Sequence, residues 1–218
     1  MSLRTSIGRR VSFFFPLIVC LLACTMLPAF VWADIQAEPQ RYAPIEEKAY
    51  EGTPGRLRYN VHIVLIEEDA HGNIVPKRDS SSLDKQQLAA TVMGAALYYA
   101  EAKSADVVGI VLDSQPGPAF GKTILATATY APDGKGLSGS DDWTWNTLQA
   151  TPRGLTAQEL KIQRLWGEMR GKFQVDGSTD ERRLKAAIAK KLKIPAEKVM
   201  LNPVFPEPFP PRGAGGDA

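Results

Sequence analysis

The chain has 218 residues, with 26 Lys and Arg against 24 Asp and Glu, and it contains only two cysteines and two histidines. A net charge of +2 is too small to indicate a nucleic-acid-binding surface, so we predict no nucleic-acid partner. Cys20 and Cys24 both lie near the N-terminus, which leaves the rest of the chain without a disulfide or a thiolate site. An apolar core must therefore hold the fold together.

Residues 1–33 have the order of features that is typical of a secretory signal peptide. Three arginines in the first ten residues precede an apolar run over 11–27, and small residues lead up to Asp34. We predict cleavage after Ala33 and an exported, periplasmic protein. Two alternatives stay open: an uncleaved helix that anchors the chain in the inner membrane, and a lipoprotein modified at Cys24. Membrane contact is expected only through this segment.

Residues 34–56 are predicted to form a flexible tether, because prolines and glycines are mixed with charges without any period. An α+β domain over 57–150 is predicted to follow. Its elements in chain order are strands over 59–66 and 74–77, a helix over 83–103 with N-caps among the serines at 80–82, and strands over 107–112, 123–131 and 143–148.

A C-terminal helical subdomain is predicted over 151–202. Thr156 and Glu159 form a capping box at the start of its first helix, and the second helix begins near Thr179. A short edge strand over 199–201 and a disordered Pro/Gly-rich tail over 203–218 complete the chain. The fold class is α+β: a small, mostly antiparallel sheet with one long helix packed on it, plus a C-terminal helical pair.

The stretch over 130–145 is the best candidate for a binding site. Its glycines give flexibility, its aspartates could hold a cation, and its aromatic rings could stack on a sugar or a peptide. The alternative is a connecting loop whose tryptophans pack in the core. The candidate binding residues are Tyr130, Asp133, Asp141, Asp142, Trp143 and Trp145.

No metal site, cofactor or catalytic residue is predicted elsewhere. His62 and His71 lie nine residues apart on a predicted strand and in a turn, a spacing that matches no common metal site. The glycine-rich stretch over 117–123 resembles a phosphate-binding loop. It has three residues between its glycines where the motif needs four, and a strand follows it instead of a helix.

The stretch over 83–136 resembles a small bacterial domain family of unknown function. The resemblance rests on the alanine-rich helix around Leu88-Ala89-Ala90, the apolar strand over 107–112, and the run over 126–134 that ends in Tyr-Ala-Pro-Asp-Gly. Similar proteins occur in integrated mobile elements and conjugative regions, which implies a role in an envelope transfer apparatus. The family has no established active site, so the resemblance assigns no residue a role.

These features favour an exported, non-enzymatic binding or scaffold protein of the bacterial envelope, with an envelope protein as its partner. The alternative is an envelope hydrolase or carbohydrate-binding enzyme that uses Asp133, Asp141 and Asp142 as acid and base. An enzyme needs two of these carboxylates to face one cleft, whereas a binding module does not.

Overall fold

A mixed sheet of seven strands lies at the centre of the fold. The structure is a computed structural model that describes residues 37–117, 122–201 and 204–209. The predictions for the signal peptide, for Cys24 and for residues 210–218 lie outside the described residues. The strands are β1 (Tyr42–Thr53), β2 (Arg56–Glu68), β3 (Ile74–Pro76), β4 (Val107–Asp113), β5 (Ile124–Tyr130), β6 (Trp145–Ala150) and β9 (Glu207–Pro208).

The strand order is β1-β2-β4-β5-β6-β9, and β3 pairs with the end of β2. Strands β2 and β4 are parallel, because the helix between them returns the chain to the same end of the sheet, and the other pairs are antiparallel. The predicted α+β class with a mostly antiparallel sheet is confirmed.

Helix α1 (Lys85–Lys103) packs its apolar side across β2, β4, β5 and β6. The helix begins after Asp84, whose carboxylate accepts the backbone N–H of Gln87, and the Gln87 side chain accepts the Asp84 N–H in return. The predicted cap among the serines at 80–82 is wrong. Ser80 is buried and its hydroxyl bonds instead to the backbone of Leu155.

The prediction of a flexible tether over 34–56 is wrong for the residues of β1. This strand pairs with β2 from Tyr42 to Thr53, and Gly55 at a φ of +77° completes the turn between the two strands. Most β1 side chains are exposed, because the strand lies at the edge of the sheet. Backbone hydrogen bonds hold it there, so the sequence carries no apolar alternation to reveal it.

The C-terminal region contains helices α2 (Ala157–Met169) and α3 (Glu181–Leu192), separated by a 3-10 turn over 170–173 and by the hairpin of β7 (Gln174–Val175) and β8 (Ser178–Thr179). The predicted capping box of Thr156 and Glu159 is confirmed. The two helices form their own apolar cluster, whose buried members are Ile162, Leu165, Trp166, Leu184, Ile188, Ala189 and Val199.

Two predictions beyond α3 are wrong. Residues 199–201 form no strand, because Val199 is buried in the helical cluster. Within the predicted disordered tail, β9 pairs with β6, and the N–H of Phe209 donates to the Leu148 carbonyl at 2.9 Å. A proline is tolerated in β9 because the strand lies at an edge of the sheet. Over the described ranges, no helix combines the length and apolar character needed to cross a membrane.

Candidate functional site

The face of the sheet opposite α1 is mostly polar. Side chains alternate along β2, so Tyr59, Val61 and Ile63 are buried under α1, whereas Asn60 and His62 lie on the other side. None of the described helices packs across this second face. We call it the open face and define it by Lys48, Asn60, His62, Val111, Thr127, Thr129, Thr147 and Gln149, all half-buried or exposed.

At the N-terminal end of β2, Arg56 holds the loop over 131–144 in place. Its Nη1 and Nη2 donate to Asp133 Oδ2 and Oδ1 at 2.7 and 3.1 Å, and Nη2 also donates to the Gly136 carbonyl at 2.8 Å. Arg58 Nη2 donates to the Leu137 carbonyl at 3.0 Å. The Arg56 side chain is only 10% exposed, so this clamp on the loop is a buried feature of the fold.

The loop carboxylates take part in holding the loop. The two hydrogen bonds from Arg56 lower the pKa of Asp133 to about 2. The backbone N–H of Ser138 donates to Asp141 at 2.9 Å, and this bond lowers the pKa of Asp141. Asp142 is exposed and makes no hydrogen bond or ion pair within the described residues. Asp133 and Asp141 therefore hold the loop through separate contacts, whereas Asp142 takes part in neither.

The aromatic members of the predicted site pack inward. The rings of Tyr130 and Trp145 lie 4.4 Å apart between centroids, and both contact the core beneath α1. Trp143 is half-buried, and its ring packs so closely on Gly136 that a Cβ added to this glycine would lie only 2.5 Å from the ring. The rings of Tyr130 and Trp145 thus pack against the core, and the ring of Trp143 packs within the loop.

At the opposite end of the open face, a buried carboxylate meets two basic side chains. Asp113 is 1% exposed, and its Oδ2 accepts Lys122 Nζ at 2.7 Å and lies 2.8 Å from His62 Nδ1. Its Oδ1 is buried and has no hydrogen-bond partner among the described residues. We call these three residues the Asp113 cluster. Because Nδ1 is engaged, the imidazole presents its Nε2 away from Asp113.

A neutral network adjoins the Asp113 cluster. Gln163 of α2 is fully buried, and its amide donates to Thr123 Oγ1 at 2.5 Å while its carbonyl accepts the Ser114 hydroxyl at 2.9 Å. The Ser114 hydroxyl oxygen also accepts the Thr123 N–H at 2.9 Å. These bonds fix α2 to the carboxyl end of β4, and they hold the chain immediately after Asp113 in one position.

Sequence reasoning missed Arg56 as the partner of Asp133 and His62 as a partner of Asp113. Arg56 lies 77 positions before Asp133, and Asp113 lies 51 positions after His62, so no local spacing joins them. The available signal was the alternation of β2, which sets Arg56, Arg58 and His62 on one face. In the part of the chain that the structure describes, no group of three or more His, Cys, Asp or Glu side chains is placed to hold a metal ion.

Comparison with known proteins assigns the chain to a family. Residues 37–204 match the model of a family described as a domain of unknown function, DUF4875. The chain belongs to this family, which confirms the predicted relationship to an uncharacterised domain family and extends it well beyond residues 83–136. A crystal structure described as a DUF487 family protein from Desulfovibrio piger ATCC 29098 is 80% identical, with a TM-score of 0.78, over 80% of this chain and 97% of that chain. No curated protein shows significant similarity to the chain.

Proposed function

We propose that this protein is an exported, non-enzymatic binding module of the bacterial envelope, and that its open face holds an envelope protein partner. The observation that carries the proposal is the uncovered, hydrogen-bonding surface of the sheet, which spans strands β1, β2, β4, β5 and β6. A central sheet that is uncovered on one side offers a preformed, rigid platform, and binding to it requires little ordering of the module.

The rigidity of this platform has identifiable causes. Arg56 fixes the loop at one end of the face through Asp133 and the Gly136 carbonyl. Gln163 fixes α2 and the chain after β4 at the other end. Side chains on the face itself, such as Thr129 and Thr147, are opposite each other on neighbouring strands and present hydroxyl groups that can donate or accept.

The loop carboxylates support a binding role more than the alternative of a hydrolase. A general acid must carry a proton near neutral pH, but the pKa of Asp133 lies near 2 because Arg56 stabilises its charged form. Asp141 is held by the Ser138 N–H, and its pKa is also lowered. An enzyme built on Asp133 and Asp141 alone would lack its acid.

One observation favours a second candidate, an enzyme that uses His62 as a general base. Asp113 orients the imidazole through Nδ1 at 2.8 Å, which is the way in which a carboxylate prepares a histidine for proton transfer. Hydrolysis of purified envelope glycan by the wild type, and its loss in His62→Gln, would replace the binding proposal with this one.

Site-specific photocrosslinking in living cells tests the proposal. A photoreactive amino acid at Thr129 of the open face should give a discrete adduct with an envelope protein. The same amino acid at Arg182, an exposed residue of α3, serves as the matched control and should give none. Equal adducts from both positions, or no adduct from Thr129, would refute a role for the open face.

Cell fractionation with intact-mass analysis tests the export part of the proposal. A chain that begins at Asp34 in the periplasmic fraction would support it, and a full-length chain in the cytoplasm would refute it.

We further propose, from the family resemblance alone, an accessory role in the transfer apparatus of a mobile element. The transfer frequency of the mobile element, measured in a strain that lacks the gene for this protein, tests that role, and an unchanged frequency would refute it.

A further inference from the structure

A cavity of about 600 Å³ lies between β3, the turn after β4 and α2. Its volume falls within the range of small-molecule sites. Val75 and Leu160 contribute apolar walls, and four basic residues, Lys77, Arg78, Lys161 and Arg164, surround them. We call this cavity the basic cleft. It lies beyond the carboxyl end of β2 and shares no residue with the open face.

The positive charge of the basic cleft is only weakly neutralised. Lys77 Nζ lies 3.8 Å from Glu67 Oε2, and Arg164 Nε lies 3.7 Å from Glu168 Oε1. Both distances are long for charge-assisted hydrogen bonds. The side chains of Arg78 and Lys161 make no ion pair within the described ranges. Arg78 and Lys161 therefore have no carboxylate at ion-pair distance in the described part of the chain, although the charge of Arg78 contributes to lowering the pKa of Asp69.

Asp79, a further acidic group beside the basic cleft, serves a structural purpose. Asp79 accepts the Ala157 N–H at 3.1 Å and the Ser81 hydroxyl at 2.6 Å. Asp79 therefore accepts a backbone N–H that the first turn of α2 leaves free, and it makes no ion pair with Lys161. A concave, partly apolar surface lined by cations concentrates the field that attracts anions. The free N–H groups of an arginine and a lysine are also suited to carboxylate and phosphate oxygens.

We propose that the basic cleft binds a small amphipathic anion, with its carboxylate or phosphate group on Arg78 and Lys161 and its apolar body against Val75 and Leu160. The basic cleft shares no residue with the open face, so anion binding at the cleft can be tested separately from partner binding at the open face. The cations give the cleft its preference for charge, and the apolar walls give it a preference for a ligand larger than a free inorganic ion.

Calorimetric titration of the purified full chain with three matched probes tests this proposal. Benzoate supplies a carboxylate on an apolar ring, phenyl phosphate supplies a phosphate on the same ring, and benzamide is the neutral counterpart of benzoate. We expect at least one anion to bind, with benzamide at least tenfold weaker, and we expect added salt to weaken the anion because it screens the attraction. The tighter of the two anions then identifies the head group.

Charge-removing variants locate the binding. Arg78→Ala and Lys161→Ala should each weaken the anion about fivefold, the upper effect of a partly exposed ion pair, and the double variant should weaken it further. Arg182→Ala removes the same charge from α3, outside the cleft, and should leave binding unchanged. Neither cleft side chain makes an ion pair, so these variants should unfold at the wild-type temperature. Equal binding of benzamide and benzoate, no binding of either anion, or equal weakening by Arg182→Ala would overturn the proposal.

Discussion

The Arg56–Asp133 ion pair makes a quantitative prediction about the loop over 131–144. The pKa of Asp133 is lowered from 3.8 to about 2. A difference of one in pKa corresponds to about 1.4 kcal/mol, so the full lowering would amount to roughly 2.5 kcal/mol. Because the Asp133 side chain is 33% exposed, solvent screening reduces this contribution to about 1 kcal/mol. We expect Asp133→Asn to lower the free energy of unfolding by about that amount at pH 7.

The pH dependence of this loss has a defined sign. The folded state holds the pKa of Asp133 below its ordinary value, so the stabilisation is fully present above the unfolded-state value of 3.8 and is lost as the pH falls through about 2. The difference between wild type and Asp133→Asn should therefore stay constant above pH 5 and shrink between roughly pH 4 and pH 2. Urea unfolding followed by tryptophan fluorescence measures it, since Trp143 and Trp145 report on the loop.

Asp142→Asn is the matched control for this experiment. It removes the same charge from the same loop, but Asp142 makes no ion pair or hydrogen bond within the described residues, so its stability should equal that of the wild type. An equal loss in both variants would show that net charge, and not the Arg56 clamp, determines the stability of the loop. A loss in Asp133→Asn that persists at pH 2 would equally refute the reasoning.

Substitutions at three further positions test other contacts, each by urea unfolding against the wild type. Gly136→Ala should cost more than about 1 kcal/mol, because φ is +57° and the new Cβ would stand 2.5 Å from the Asp141 Cβ. Gln163→Leu should cost about 1–3 kcal/mol, because it removes the buried partner of the Ser114 hydroxyl. Thr156→Ala should cost about 1 kcal/mol through loss of the N-cap of α2, and Thr156→Ser should restore most of it. Wild-type stability in Gly136→Ala, Gln163→Leu or Thr156→Ala would contradict the corresponding contact.

The sequence predicted those elements whose signals are local. The capping box of Thr156 and Glu159 lies within four residues, and its backbone and side-chain partners are the ones expected. Strand β4 is an apolar run in the middle of the sheet, so its central position is readable from composition, although Val111 is only half-buried on the open face. Strand β1 could not be found in this way, because an exposed edge strand gains its stability from backbone hydrogen bonds with β2.

The candidate site was only partly predictable for the same reason. Tyr130 and Trp145 flank the loop, and their ring contact follows from the pairing of β5 with β6. Whether Asp133 was a free acid or a structural one depended on Arg56, the last residue of the predicted tether over 34–56. Once β1 and β2 are joined as a hairpin, Arg56 stands at the start of β2, next to the loop. The error about the tether therefore also concealed the role of the aspartate.

The two ends of the open face leave different kinds of buried polar atom without a partner among the described residues, and this difference predicts where a partner that donates hydrogen bonds binds. Arg56 and His62 are six positions apart on β2, which corresponds to about 20 Å along a strand. At the Arg56 end both oxygens of Asp133 are paired, and the buried atoms without a partner among the described residues are the donors Arg56 Nε and Arg58 Nε, whereas at the His62 end the buried atom without a partner is the acceptor Asp113 Oδ1. An unmet acceptor costs about 1–3 kcal/mol, and a partner that donates to it recovers part of this cost. A photoreactive amino acid at Gln149, in the row of His62, should therefore give more adduct than one at Thr147, in the next row toward Arg56. The reverse order would place the partner at the clamped end and remove the role proposed for Asp113.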